Sequence, residues 1–208
     1  MYWYQYLSLA ALVLFAAVML WHFLRLIREG NPKDFSKKTG NLAKAEAYAY
    51  TTAMMPNHKE TAYLHIPTFT AGALFHLGTF LSILLFVVFF FISPDLFPLW
   101  LVYVLNACLL ISASCGIGLL IKRIVVKKMR NLSHLDDYLS NFLTTLFQLF
   151  TIIYLMLPHV FASVYYIEVS ILLLYMPVGK LRHVLYFFAA RYHLGRFYGW
   201  RNVWPPKN

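Results

Sequence analysis

The chain has 208 residues, 61% hydrophobic and 12% charged, with a mean hydropathy of +0.62. Soluble domains carry about 25% charged and 45–50% apolar residues, so this composition excludes an ordinary water-soluble domain and points to a surface that meets lipid. The formal net charge of +10 invites a nucleic-acid role, which the placement of the cations removes.

Apolar runs of roughly 20 residues can cross the hydrocarbon core as helices. Five are present, at about 3–26, 69–92, 99–121, 138–157 and 160–178. The last is expected to continue as helix to 184. The prediction is an all-α integral membrane protein, one membrane domain over 1–208, with a five-helix bundle and a cytoplasmic tail from 185 to 208. The first run has no basic segment before it and no small-residue cleavage site, so it reads as a span rather than a signal peptide.

All 18 Lys and Arg fall in three stretches. Seven lie between Arg25 and Lys59, five between Lys122 and Arg130, and six between Lys180 and Lys207. Cytoplasmic loops carry the Lys/Arg excess. Five crossings with the N-terminus outside and the C-terminus cytoplasmic therefore place every cation inside. The expected location is the cell inner (cytoplasmic) membrane, crossed several times. The charge is topogenic, and no nucleic-acid motif accompanies it.

The second and third spans are joined by "SPDLFP" (93–98) and the last two around "LPHV" (157–160), short turns marked by proline. The third span carries Cys108 and Cys115, which form no CxxC pair and are expected to be buried apolar thiols. "NLSHLDDYLSNF" (131–142) places Ser133, Asp136 and Asp137 before the fourth span, where they are expected to cap its N-terminus. The longer loops and the tail "RYHLGRFYGWRNVWPPKN" (191–208) lie on the proposed inner side. Arg alternates with aromatic residues in that tail, which suits a membrane surface or a docking partner.

Two histidines stand out by depth. His76 lies on the second span and His183 at the end of the fifth, and antiparallel spans could present both imidazoles in the inner half of the bilayer. Two neutral imidazoles facing each other across a helical bundle supply the axial ligands of a b-type haem. Gly72 and Gly78 flank His76 and would let a flat macrocycle approach the helix. Lys180, Arg182 and Arg123 are placed to meet propionates, or to snorkel without any haem. A histidine in an apolar helix can also be simply hydrogen-bonded.

The five-span plan, "LFHLGTF" (74–80) and "MPVGKLRHV" (176–184) resemble the gamma subunit of respiratory nitrate reductase. They also resemble the membrane cytochrome b subunits of heterodisulfide reductase and of the sulfite-reduction-associated membrane complex. The resemblance covers spans two to five. It implies an electron-transfer subunit of a respiratory oxidoreductase, working between membrane quinol, menaquinone or another quinone, and a cytoplasmic iron–sulfur or catalytic partner. It also implies that His76 and His183 ligate the haem nearer the cytoplasm. The family's second, outer haem has ligands at positions that here hold Phe86 and Tyr165, ten residues after His76 and eighteen before His183. Neither is a usual ligand, so one haem b is expected.

Glu168 is the acid set well inside an apolar span. It is the candidate for proton handling at a quinone site, with Tyr165, Tyr166 and His159 completing a polar pocket. Three alternatives remain open: a haem-free membrane anchor, a small transporter, and a two-haem cytochrome that also uses His65 and His193. No CxxC cluster or nucleotide motif is present, so the chain reads as a subunit rather than a complete enzyme.

Overall fold

In a computed structural model of the chain, the structure describes residues 1–30, 34–58 and 62–206. Three of the cations, Lys33, Lys59 and Lys207, lie outside the described residues. Among the described residues every regular element is helical. These are α1 (Trp3–Glu29), α2 (Leu42–Tyr50), α3 (Ile66–Val88), α4 (Leu99–Val125), α5 (Lys127–Asn131), α6 (Leu135–Met156), α7 (Pro158–Tyr175) and α8 (His183–Trp200), with short 3₁₀ turns between them. Five segments are long and apolar enough to cross a membrane: α1, α3 with the 3₁₀ turn before it, α4, α6 and α7. The chain is an all-helical, multi-pass membrane protein.

The helix ends follow from local chemistry. Gly30 closes α1 at φ 69°, a left-handed geometry that glycine adopts without a Cβ penalty. Asn41 caps α2 by accepting the Lys44 N–H at 3.1 Å. Pro98 precedes α4, and Pro158 opens α7, where its missing N–H has no helical partner to lose.

The fifth span departs from its expected end at 184, because α7 stops at Tyr175. Pro177 cannot continue the hydrogen-bond ladder, and the Tyr175 carbonyl instead accepts the N–H groups of Val178 and Gly179 at 3.1 and 2.8 Å. Gly179 passes so close to the Tyr175 ring that a Cβ there would overlap it. A 3₁₀ turn, Lys180–Arg182, follows, and His183 is the first residue of α8. Most of the expected tail is therefore ordered helix.

The chain divides into two compact units. The first holds residues 1–18 and 67–181: the start of α1, nearly all of α3, and α4 to α7. Its core is built on α3, α4, α6 and α7, and includes Leu85, Phe86, Phe89, Leu109, Phe147, Tyr154, Tyr165, Tyr166 and Val169. Leu77, Phe80, Leu84, Trp100, Tyr103 and Ile111 remain exposed on its spans, as lipid-facing positions should. Cys108 is exposed and Cys115 half-buried, so neither is the buried thiol expected. Both sit on faces of α4 away from its packed seam of Asn106, Leu109, Ser112, Ala113 and Gly116.

The second unit holds residues 19–66 and 182–208. In it α8 packs on α2 through small residues. Gly195 lies against Glu46 and Ala49, and Gly199 against Ala45 and Leu42. The Tyr50 hydroxyl donates to the Phe188 carbonyl at 2.7 Å, and the Trp200 indole donates to the Ser36 carbonyl at 2.7 Å.

Candidate functional site

His76 lies on the exposed face of α3. Phe80, one turn on, holds its ring nearly parallel to the imidazole, with centroids 6.3 Å apart and planes 23° from parallel. The two flanking glycines differ in kind. At Gly72 an added Cβ would meet no atom within 4 Å, so the helix surface one turn before His76 is bare. At Gly78 an added Cβ would overlap the Ser112 side chain and come within 3.1 Å of Gln148 Oε1. Gly78 thus serves the close approach of α3 to α4 and α6, a packing role in place of the macrocycle contact expected of it.

His183 is exposed at the start of α8. Arg182 is also exposed, and Lys180 is engaged with Asp137. Asp137 is buried at the start of α6, and Arg123 of α4 lies 3.3 Å from the same carboxylate oxygen. Its other oxygen accepts the His134 N–H at 3.0 Å. His134, rather than Ser133, is therefore the residue that precedes α6. The Ser133 hydroxyl donates to the Met129 carbonyl at 2.7 Å and accepts from Arg123 at 3.1 Å. Asp136 serves a second contact: its carboxylate and carbonyl both accept from the Tyr175 hydroxyl.

Phe86 and Tyr165 are buried together in the first unit. Tyr165 stacks on Tyr154 and meets Phe89 edge-on at 5.9 Å, while Phe86 lies 6.3 Å from Tyr166. The Tyr166 hydroxyl donates to the Phe89 carbonyl at 3.3 Å. His159 does not join this group. Its side chain is exposed and lies 3.3 Å from Asp95.

Glu168, one turn along α7 from Tyr165, is buried at 4% exposure. Gln148, Asn106, Ser82, Thr151 and Ser112 are also buried in the first unit. None of these was singled out by the sequence, although an amide inside an apolar span is itself a signal of interhelical contact. Gln148 realises that signal: its Nε2 donates to the Phe75 carbonyl at 3.1 Å and to Thr79 Oγ1 at 2.8 Å, tying α6 to α3.

The remaining histidines lie in the second unit and have local roles or stay exposed. His22 Nδ1 is 3.2 Å from the Tyr186 hydroxyl, His58 meets Tyr48 edge-on, and His65 and His193 are exposed. Among the described residues no three His, Cys, Asp or Glu side chains gather as a metal site. A haem iron takes its equatorial donors from the macrocycle and asks the protein only for axial ones. For that group, His76 beside the bare strip at Gly72 is a suitable donor. The Phe86 and Tyr165 positions are not, since packed aromatic rings fill them.

These features define a helical membrane protein with a polar-lined core and an accessible histidine on one of its spans. Comparisons with protein-family models, curated proteins and solved structures found no match.

Proposed function

We propose that this chain is the membrane-embedded b-type cytochrome subunit of a respiratory oxidoreductase of the cytoplasmic membrane. It would hold one haem b between His76 and His183 and exchange electrons between a membrane quinone, such as menaquinone, and a cytoplasmic iron–sulfur partner. When bound, the haem supplies a one-electron relay. The chain's own residues would do the rest: His76 and His183 would hold the group, and Gly72 would leave room beside it. Arg182 meets negative charge at the inner boundary, and Glu168 holds a proton within the bundle. The N-terminus lies outside and the C-terminus in the cytoplasm, which accounts for every cation.

The observation that carries this reading is the donor pair in its setting, an imidazole on an apolar span and another closing "P-x-x-K-L-x-H". The aromatic packing around Phe86 and Tyr165 supports one haem rather than two. The test is a reduced-minus-oxidised optical spectrum of the purified protein. A b-type α-band is expected, lost in His76→Ala and in His183→Ala and kept in His193→Ala. A spectrum without the band would sink the reading in favour of a haem-free anchor or transporter. Loss of the band in His193→Ala would favour the pair His65 and His193.

A further inference from the structure

The core of the first unit contains polar atoms that its own hydrogen bonds do not satisfy. Short hydroxyls there close locally: Thr144, Thr151 and Ser170 each donate to the carbonyl four residues earlier at 2.7 Å, and Ser112 donates to the Leu74 carbonyl at 3.0 Å. Five other residues do not close. Ser82 Oγ, both amide atoms of Asn106, Gln148 Oε1, the Tyr165 hydroxyl and both Glu168 oxygens are buried without a completed hydrogen bond. All five residues are at most 5% exposed.

Helix register sets them at neighbouring depths in the first unit. Gly78 of α3 touches both Ser112 and Gln148, and Ser82 is one turn further along α3. Asn106 precedes Ser112 by six residues on α4, hence it lies on the Ser82 side of that layer in an antiparallel pair. On α7, Tyr165 packs against Phe147 and Tyr154 of α6. One turn from Tyr165, Glu168 comes level with Gln148, because α6 and α7 run antiparallel from the turn at Leu157. Their depths span about two helical turns, ~10 Å.

In hydrocarbon each unsatisfied polar group costs several kcal/mol, and an isolated carboxylate costs far more. Glu168 joins no ion pair among the described residues. Buried polar groups in native proteins are completed by ordered water. We infer that Glu168, Gln148, Asn106, Ser82 and Tyr165 line a hydrated acid site within the membrane bundle, where water completes their hydrogen bonds and Glu168 carries an exchangeable proton. The donor set suits water: Glu168 in its acid form and Asn106 Nδ2 donate, Gln148 Oε1 and Asn106 Oδ1 accept, and the two hydroxyls do either. The service of this proton to quinone chemistry rests on the proposed cytochrome function; the existence of the site does not.

Infrared spectroscopy of the full chain in lipid nanodiscs at neutral pH tests it. One protonated-carboxyl C=O band is expected, downshifted on transfer to D₂O, lost in Glu168→Gln and displaced in Ser82→Ala and Asn106→Leu. A wild-type spectrum without the band overturns the proposal, and so does a band that survives Glu168→Gln. A band that stays unshifted after prolonged D₂O exposure means a dry acid and overturns it as well. That measurement needs no variant, so a misfolded substitution cannot leave the question open. The optical α-band of the same sample reports the haem separately, and either signal can fail while the other stands.

Discussion

Tyr165 of α7 lies flat on Tyr154 of α6, with ring centroids 4.6 Å apart and planes 12° from parallel. Around that pair Phe89 and Tyr166 stand edge-on to both rings. Offset-stacked and edge-to-face pairs contribute about 0.5–1.5 kcal/mol beyond their buried area. The position that the resemblance assigns to an outer haem ligand is thus a keystone of apolar packing. Tyr165→Ala should cost about 3–5 kcal/mol, the range for emptying a large aromatic from a core, read as a shifted denaturation midpoint in detergent. Tyr165→Phe keeps the ring and should cost under about 1.5 kcal/mol, with the optical spectrum unchanged. Equal stability of the alanine variant and wild type would refute the packing role.

The two glycines flanking His76 separate packing from cofactor space. Gly78→Leu should destabilise the first unit by about 1–3 kcal/mol through overpacking, because Ser112 occupies the room a side chain needs. Ser112→Gly should restore part of the loss. Gly72→Leu enters open space and should leave the melting temperature within a few degrees of wild type. If a macrocycle lies beside His76, the same substitution should weaken the α-band while the fold persists. A Gly72 variant with full haem content would remove that glycine from the proposed site.

Much of the architecture was legible because lipid imposes a simple rule: a span must be long, apolar and internally hydrogen-bonded. Five apolar runs and two proline-marked turns were enough to place the five spans to within a few residues at most ends. The fifth span's end was misread, since apolarity continues through "LLYMPVGKL" while Pro177 and Gly179 turn the backbone. Depth along a span could be read, but rotation about it could not. The sequence does not show that Gly78 faces Ser112 while Gly72 faces open space, or that Cys108 points outward. The burial of Glu168 followed from its position. The burial of Gln148, Asn106 and Ser82 on three other spans became visible only in the folded bundle. Asp137 does cap α6, accepting the His134 N–H as its position suggests. Its further partners Arg123 and Lys180 come from distant stretches and are not legible in that motif.

That Asp137 node carries its own prediction. One buried carboxylate meets Arg123 at 3.3 Å, Lys180 and the His134 N–H, joining α4, the start of α6 and the turn after α7. Asp137→Asn would leave two cations facing a neutral amide. Removing a hydrogen bond to a charged group costs about 1.5–3 kcal/mol. Lys180 is more than half exposed and Arg123 about a third, so water recovers part of that and about 1–2 kcal/mol is expected. Asp137→Glu should restore some of it, and Lys180→Met should cost less than Asp137→Asn because Arg123 remains. Thermal denaturation of the three variants in one detergent checks the order; a Lys180→Met loss larger than that of Asp137→Asn would contradict it.

In the second unit, acid should release the end of α8. Ser36 donates to the Asp34 carboxylate from its hydroxyl at 2.7 Å and from its backbone N–H at 3.0 Å, and Arg201 lies 2.7 Å away. The Ser36 contacts first, and then Arg201, hold the Asp34 carboxyl below its ordinary value of 3.8. A carboxyl lowered in the folded state adds stability that is fully present above its unfolded value and is lost as pH falls through the folded one. The contacts near Trp200 should therefore be constant from neutrality down to about pH 4 and weaken only in more acid solution. Trp200 reports this directly, since its indole donates to the Ser36 carbonyl. With 5-fluorotryptophan incorporated and its resonance assigned through Trp200→Phe, the signal should move in that acid window. Asp34→Asn should abolish the acid step and leave the neutral-pH signal in the position that wild type reaches only in acid. A wild-type resonance that moves between pH 5 and 7 would mean that another group governs the docking of α8, and the assignment to Asp34 would fall.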